Sequence, residues 1–150
     1  MLGLLNARLH NDAATELAIA RGEQGKITRI RLEKLVVMRS PLTTHVLDTA
    51  RGKPAAGLYI TLDQHTSDTW TPRSAGITNA DGRVGDLLPP GGLQAATYRL
   101  TFHTGAWYAA AGEVTFFPEV TVVFTVTDLE GHHHVPLLLS PFGYSTYRGS

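Results

Sequence analysis

Histidine, arginine and hydroxyl side chains stand in this sequence where they could share one reaction. His45 lies in a β-branched run, Arg83 follows an Asp-Gly turn, and residues 132–134 are three consecutive histidines. Imidazole is the side chain whose ordinary pKa suits proton transfer near neutral pH. The planar guanidinium pairs well with carbonyl oxygens or ring anions. These residue types indicate acid–base chemistry on a polar molecule.

The three adjacent histidines have two interpretations. Strand alternation places His132 and His134 on one face and His133 on the other. A His-x-His pair together with His45 could supply three nitrogens to zinc, and this stays open as an alternative. Because the chain has no cysteine and shows no carboxylate at a fixed spacing, the sequence favours a site without metal.

Several other chemistries find no support in the sequence. There is no cysteine to act as a nucleophile and no Gly-x-Ser-x-Gly elbow to present a serine. No glycine-rich loop has the spacing of a phosphate cradle. The sequence therefore favours direct attack by water over a covalent intermediate.

Charge and composition narrow the expected partners and location. The 13 basic and 13 acidic residues balance, so no global field favours nucleic acid or an anionic membrane surface. No apolar run approaches the ~20 residues of a membrane span, and without cysteine there is no sign of a secreted disulfide framework. We expect a cytoplasmic protein that binds neither nucleic acid nor membrane.

The first 38 residues differ in pattern from the rest. Asn11 or Asp12 can cap a helix, and leucine and isoleucine then recur at near-helical spacing. Gly22 and Gly25 weaken the middle of this pattern. We predict an N-terminal helical extension with one or two helices over residues 12–37.

From Ser40 onward the pattern changes to short strands separated by turns. Glycine, proline, asparagine and aspartate mark the turns, and β-branched and aromatic residues fill the runs between them. The predicted strands are 42–48, 58–62, 69–78, 96–103, 121–127, 133–140 and 144–147, with one short helix over 105–112. Seven or eight such strands predict an all-β antiparallel sandwich.

The segment from His132 to Ser150 carries aromatic, cationic and hydroxyl groups up to its last residue. It resembles the C-terminal signature of the 5-hydroxyisourate hydrolases, the transthyretin-related enzymes of urate breakdown. Three other segments are similar to motifs of the same family, namely residues 42–55, 78–83 and 116–120. The resemblance extends over residues 39–150, which we interpret as a single hydrolase domain.

The resemblance implies a fold, an assembly and a reaction. The family fold is the transthyretin sandwich of two four-stranded antiparallel sheets with one short helix. Its members form homotetramers whose sites lie at a subunit interface. The implied reaction converts 5-hydroxyisourate, a small-molecule substrate, to 2-oxo-4-hydroxy-4-carboxy-5-ureidoimidazoline without a cofactor.

The resemblance also assigns site residues. His45, Arg83 and His134 match the family's active-site positions, and Tyr147 and Ser150 belong to the matching C-terminal segment. We expect His45, Arg83, His134 and Ser150 to be catalytic. His45, Arg83, Tyr147 and Ser150 should bind the substrate. The sequence does not decide which histidine is the general base.

Residues 1–38 have a second resemblance. Residues 8–12, 16–18 and 26–33 are similar to the last helix of the 2-oxo-4-hydroxy-4-carboxy-5-ureidoimidazoline (OHCU) decarboxylases, which act on the hydrolase product. The match covers only the tail of that family, so no working decarboxylase is expected here. The extension is a remnant or part of a fusion under this hypothesis, and association with OHCU decarboxylase follows as a partner hypothesis.

Two other functions compete with hydrolysis. A transthyretin-like carrier would bind a small hydrophobic ligand and would need an open, largely apolar pocket. A non-catalytic scaffold would use residues 1–38 for docking. The two histidines, the arginine and the polar tail favour a hydrated, polar ligand and hence the enzyme.

Overall fold

The computed structural model describes residues 39–150 and, upstream of them, two short strands. These are β1 (Ala18–Arg21) and β2 (Ile27–Arg29), which pair antiparallel with an irregular register. The chain divides into two compact units, Met1–Val37 and Met38–Ser150. The helices predicted over residues 12–37 are therefore wrong at both strands, and the remainder of that prediction lies outside the described residues.

Glycine content gives a physical reason for the wrong helix prediction. Gly22 and Gly25 stand between the two segments, and each glycine costs a helix about 1 kcal/mol relative to alanine. A helix of this length gains little from propensity alone and depends on tertiary packing. The apolar spacing that suggested a helix was therefore too weak a signal against two central glycines.

The larger unit contains ten strands and one helix within residues 39–150. The elements are β3 (Leu42–Asp48), β4 (Lys53–Pro54), β5 (Tyr59–Thr66), β6 (Thr69–Ile77), β7 (Arg83–Val84), β8 (Ala96–Phe102), α1 (Thr104–Ala110), β9 (Val120–Val126), β10 (His133–His134), β11 (Leu137–Ser140) and β12 (Gly143–Thr146). Every predicted strand has a counterpart near its expected position. The two-residue strands β4 and β7 were missed, and the predicted strand 133–140 divides at Val135 and Pro136.

The strands form two sheets, as expected for a sandwich. One is a four-stranded antiparallel sheet in the order β6-β5-β8-β9. The other has six strands, with the main path β10-β3-β11-β12 and with β4 and β7 also paired to β3. Two sheets and one short helix are thus confirmed. The second sheet differs in detail from the expected four antiparallel strands, because β10 and β11 run parallel to β3.

The core lies between the two sheets, and β3 shows why. Its residues alternate between buried and partly buried, so that one set of side chains enters the core and the other faces outward. The buried polar members are satisfied: the Thr44 hydroxyl donates to the Val135 carbonyl at 2.7 Å. Fully buried residues from both sheets fill the core, including Leu42, Val46, Ile60, Leu62, Tyr98, Leu100, Phe102, Leu137 and Leu139.

No helix among the described residues is both long enough and apolar enough to span a bilayer.

The turn before β7 is fixed against β3. The Asn79 side-chain oxygen accepts hydrogen bonds from the Asp81 and Arg83 amides at 3.0 and 2.9 Å. Gly82 has a φ of +72°, and its carbonyl accepts from the Val46 amide at 2.8 Å. A Cβ at Gly82 would lie 2.5 Å from the Val46 carbonyl oxygen. Glycine is therefore required here both for its conformation and for the close approach of two backbones.

Replacing Gly82 with alanine should destabilise the fold more than the same change at Gly52. Both have positive φ, but a Cβ at Gly52 would meet open space. We expect Gly52→Ala to lower the free energy of unfolding by about 1–2 kcal/mol from backbone strain alone. Gly82→Ala adds a backbone clash and should cost about 2–4 kcal/mol. Urea denaturation measures both, and equal costs would contradict the close approach.

Candidate active site

His45 and Arg83 lie opposite each other on two adjacent strands, β3 and β7. They are direct partners in the antiparallel register of β3 and β7, and side chains of such partners project from the same face of a sheet. His45 is partly buried and Arg83 is exposed. The glycine turn described above sets this register, so it delivers the guanidinium to the outward face of β3.

His134 reaches the same face from the opposite edge of β3. It is the register partner of Thr43 in the parallel pairing of β10 with β3, and its Nδ1 lies 2.9 Å from the Thr43 hydroxyl. Thr43 and His45 are two residues apart on one strand, so their side chains share the outward face. The sheet thus sets the two predicted histidines and Arg83 on adjacent strands of one face.

The tail after β12 continues along the same edge. β12 pairs antiparallel with β11, and beyond it Gly149 bridges to His134, its amide donating to the His134 carbonyl at 2.8 Å. A Cβ at Gly149 would lie 2.5 Å from Cδ2 of the His134 ring. The ring is therefore held between the Thr43 hydroxyl on its Nδ1 side and the tail backbone on its Cδ2 side.

The two predicted tail residues have different surroundings. Ser150 is exposed and follows Gly149, so the tail backbone brings it next to His134. Tyr147 is 57% exposed and lies between the end of β12 and the Gly149 bridge. It also borders a cavity of about 290 Å³ between β9 and the tail, together with His133 and Arg148.

Burial and the neighbouring guanidinium lower the pKa of both site histidines, which favours the neutral imidazole at neutral pH. Desolvation lowers the pKa of His45 below its ordinary 6.5, and the charge of Arg83 lowers it further. Hydrogen bonding to the Asp81 backbone and the charge of Asp81 both raise it. Desolvation is also the largest cause that lowers the pKa of His134, and the charges of Arg83, His132 and His45 lower it further. Hydrogen bonding to the Thr43 backbone acts in the opposite direction. A neutral imidazole has a lone pair with which to accept a proton.

The other two histidines of the triplet separate as alternation predicts. His132 is exposed, with Nε2 lying 3.0 Å from the Thr43 hydroxyl. His133 is buried, and its Nε2 lies 2.7 Å from the Asp128 carbonyl. Within residues 39–150, no group of three or more His, Cys, Asp or Glu side chains is arranged to hold a metal ion. His132 and His134 both contact the Thr43 hydroxyl.

Sequence reasoning missed two residues that shape this site. Thr43 lies two positions before His45, a spacing that places both on one face of a strand and could have singled it out. Gly149 acts through the absence of a side chain, and nothing in a single sequence distinguishes such a glycine from one in an ordinary flexible end.

Comparison with known proteins identifies the family of this chain. Residues 42–149 match the model of the HIUase/Transthyretin family. The chain belongs to the HIUase/Transthyretin family. A 5-hydroxyisourate hydrolase from Deinococcus radiodurans is 52% identical over 113 residues, which cover 73% of this chain and 95% of that protein.

Solved structures of the HIUase/Transthyretin family share the fold. The Klebsiella pneumoniae 5-hydroxyisourate hydrolase superposes with a TM-score of 0.63 at 38% identity, covering 73% of this chain and 97% of that one. Sea bream transthyretin in complex with thyroxine superposes with a TM-score of 0.70 at 33% identity, covering 73% and 95%. The family fold therefore occurs both in an enzyme and in a protein that binds a hormone, so the site must decide between them.

Removing the guanidinium should raise the pKa of both site histidines in this family member. Arg83 lowers each of them, so Arg83→Gln removes one cause and leaves desolvation. We expect the histidine Cε1 proton resonances of His45 and His134 to titrate at higher pH in Arg83→Gln.

A matched control is Arg73→Gln. Arg73 lies on β6 of the four-stranded sheet and donates to the Gln64 side chain. Its loss should leave both titrations in place. Unchanged midpoints in Arg83→Gln, or equal movement in the two variants, would contradict the assignment of the field to Arg83.

Proposed function

We propose that this chain hydrolyses 5-hydroxyisourate to 2-oxo-4-hydroxy-4-carboxy-5-ureidoimidazoline. The observation that carries the proposal is the convergence of two imidazoles and one guanidinium on the outward face of β3, with the tail backbone against His134. These are the groups needed to activate water and to grip a flat, polar ring. The hydrolases of Deinococcus radiodurans and Klebsiella pneumoniae support the choice of substrate.

Hydrolysis of the ring lactam begins with a proton transfer to imidazole. His134, oriented together with His45, removes a proton from water as its oxygen bonds to the lactam carbonyl carbon. The carbonyl oxygen gains negative charge, which the Arg83 guanidinium stabilises. When the carbon–nitrogen bond breaks, the imidazolium returns its proton to the leaving ring nitrogen. The product is one molecule with an opened ring and a new carboxylic acid group, which loses its remaining proton to solvent, and the histidine is neutral again.

The tail completes the grip on the substrate. Tyr147 and Ser150 supply hydroxyl groups that hold the ring against the imidazoles. Gly149 supports their position because its backbone, unshielded by a side chain, lies directly on the His134 ring. A tail fixed by a backbone hydrogen bond loses less entropy on binding substrate than a free one would.

The polarity of the site favours the enzyme over a carrier. A carrier pocket for a small hydrophobic ligand is mostly apolar, with few polar groups. The outward face of β3 instead presents Thr43 and His45 between Arg83 and His134. Placing an apolar ligand there would bury the guanidinium without a partner, which is costly.

The proposed assembly is a homotetramer with sites shared between subunits. Among residues 39–150, β9 pairs only with β8, and β12 pairs only with β11. Both strands therefore offer a free edge, and such edges readily pair with another chain. Half-exposed apolar side chains lie on them, including Val123 and Tyr144. A second copy that pairs at these edges would cover them.

Two further expectations stay predictions. One is that the protein acts in the cytoplasm. The other is that residues 1–38 associate with OHCU decarboxylase, a hypothesis supported by the resemblance of that segment to the decarboxylase tail.

Replacing His134 with asparagine should lower turnover of freshly generated 5-hydroxyisourate by at least about a hundredfold, the usual contribution of a general base. Ultraviolet absorbance follows the reaction. His65→Asn is the control, because His65 is exposed on β5 of the other sheet. Near-normal turnover in His134→Asn would remove this residue from the mechanism.

The wild-type rate should persist at a pH below 6.5, since the lowered pKa of His134 keeps the base neutral there. The rate then falls as the pH drops through that lowered pKa. Arg83→Gln should move this acidic limit to higher pH, in addition to lowering the rate.

A lysine at Val123 should weaken the assembly and the activity together. Lysine on an edge strand opposes pairing with another chain, whereas Ala109→Lys on α1 adds the same charge away from both edges. We expect analytical ultracentrifugation to show tetramers for the wild type and Ala109→Lys, and smaller species for Val123→Lys. A smaller species with full activity would contradict sites shared between subunits.

A further inference from the structure

One hydroxyl group joins two of the three consecutive histidines. The Thr43 Oγ1 atom lies 2.9 Å from Nδ1 of His134 and 3.0 Å from Nε2 of His132. Both distances are those of hydrogen bonds. Neither Thr43 nor His132 has a role in the reaction described above, and yet both connect to the proposed base.

A hydroxyl has a single proton, and this couples its two partners. It can donate to only one of the nitrogens, so the other must itself be an N–H that donates to the hydroxyl oxygen. If Thr43 donates to His132, then His134 bears its proton on Nδ1. If Thr43 donates to His134, the His134 proton sits on Nε2, and that nitrogen has no lone pair for water.

The surroundings of the His134 ring show where its two nitrogens lie. Thr43 occupies the Nδ1 side and the Gly149 backbone lies against Cδ2. Nε2 is bonded to Cδ2, so it lies at the edge of the ring near the end of the tail. Only the first arrangement leaves a lone pair on this nitrogen for water.

We propose that Thr43 is a positioning residue that holds His134 in the Nδ1–H tautomer, with His132 as the acceptor that orients the Thr43 proton. This inference rests on the proposed function, because it names what keeps the base nitrogen, Nε2, unprotonated. The network needs no rearrangement during the reaction. When Nε2 takes the proton from water, Nδ1–H still donates to Thr43 and Thr43 still donates to His132.

The exposed position of His132 fits this role. Its Nε2 accepts from Thr43 while its ring remains open to solvent, so it can keep the complementary tautomer without a second protein partner. A His134 ring without Thr43 would retain its place beside Gly149 but lose the group that distinguishes its two tautomers.

The test uses the full chain with Thr43→Val, which has the shape of threonine without its hydroxyl, beside Thr43→Ser, which retains the hydroxyl. Thr43→Val should lower kcat by at least about tenfold with KM within about twofold, the pattern of a group that acts on the transition state. Thr43→Ser should stay within about threefold of wild type in kcat. His132→Phe should fall between them.

A second readout does not depend on turnover. Ring ¹⁵N chemical shifts, measured by long-range ¹H–¹⁵N correlation in the resting protein, report the tautomer of His134. We expect an Nδ1–H ring in wild type and in Thr43→Ser, and a mixed or inverted tautomer in Thr43→Val. The same spectra verify that each variant is folded.

These outcomes separate the inference from the proposed function. An Nε2–H ring in wild type, or a Thr43→Val variant that keeps the wild-type tautomer, would overturn the positioning role whatever its kcat. A wild-type protein without hydrolase activity would refute the proposed function, while the tautomer measurement would still decide whether Thr43 and His132 set the state of His134.

Discussion

Hydrogen bonding of β3 along both of its edges is the constraint on which the rest of this structure depends. One edge takes β10 and β11 in parallel, and the other takes β4 and β7 in antiparallel. The alternation of β3 then sends one set of side chains into the core and leaves Thr43 and His45 on the outer face. A shift of one residue in this register would bury the polar set and expose the apolar one, so core and site are fixed by the same pairing.

The two site histidines lie among different charged groups, although the pKa of each is lowered. Asp81 raises the pKa of His45 through a backbone hydrogen bond and through its charge, whereas desolvation and Arg83 lower it. For His134, the charges that act are those of Arg83 and two other histidines, all lowering its pKa. Different surroundings for two titratable groups commonly divide the roles of acid and base. Under the proposed function, His134 is the group that takes the proton and His45 is its partner.

Most of the larger unit could be predicted from the sequence, because strand alternation and turn residues are local signals. The bounds of β3 were predicted to the residue, and the helix near residues 104–110 was expected between its glycines. The two-residue strands escaped prediction because their existence depends on β3, a distant partner. Pairing over distance is equally why the contact of Thr43 with His134 was missed. The roles of the site residues came from a resemblance, since spacing alone could not bring His45, Arg83 and His134 together.

The bare backbone at Gly149 has a consequence for how such a protein changes over time. Any side chain there would push into the imidazole of His134, and one nucleotide is enough to turn a glycine codon into an alanine codon. The methyl group added by alanine at position 149 would lie outside the hydrophobic core, and the core would therefore fold as before. A lineage could in this way lose its chemistry in a single mutational step and keep an intact sandwich, available for selection toward a different use.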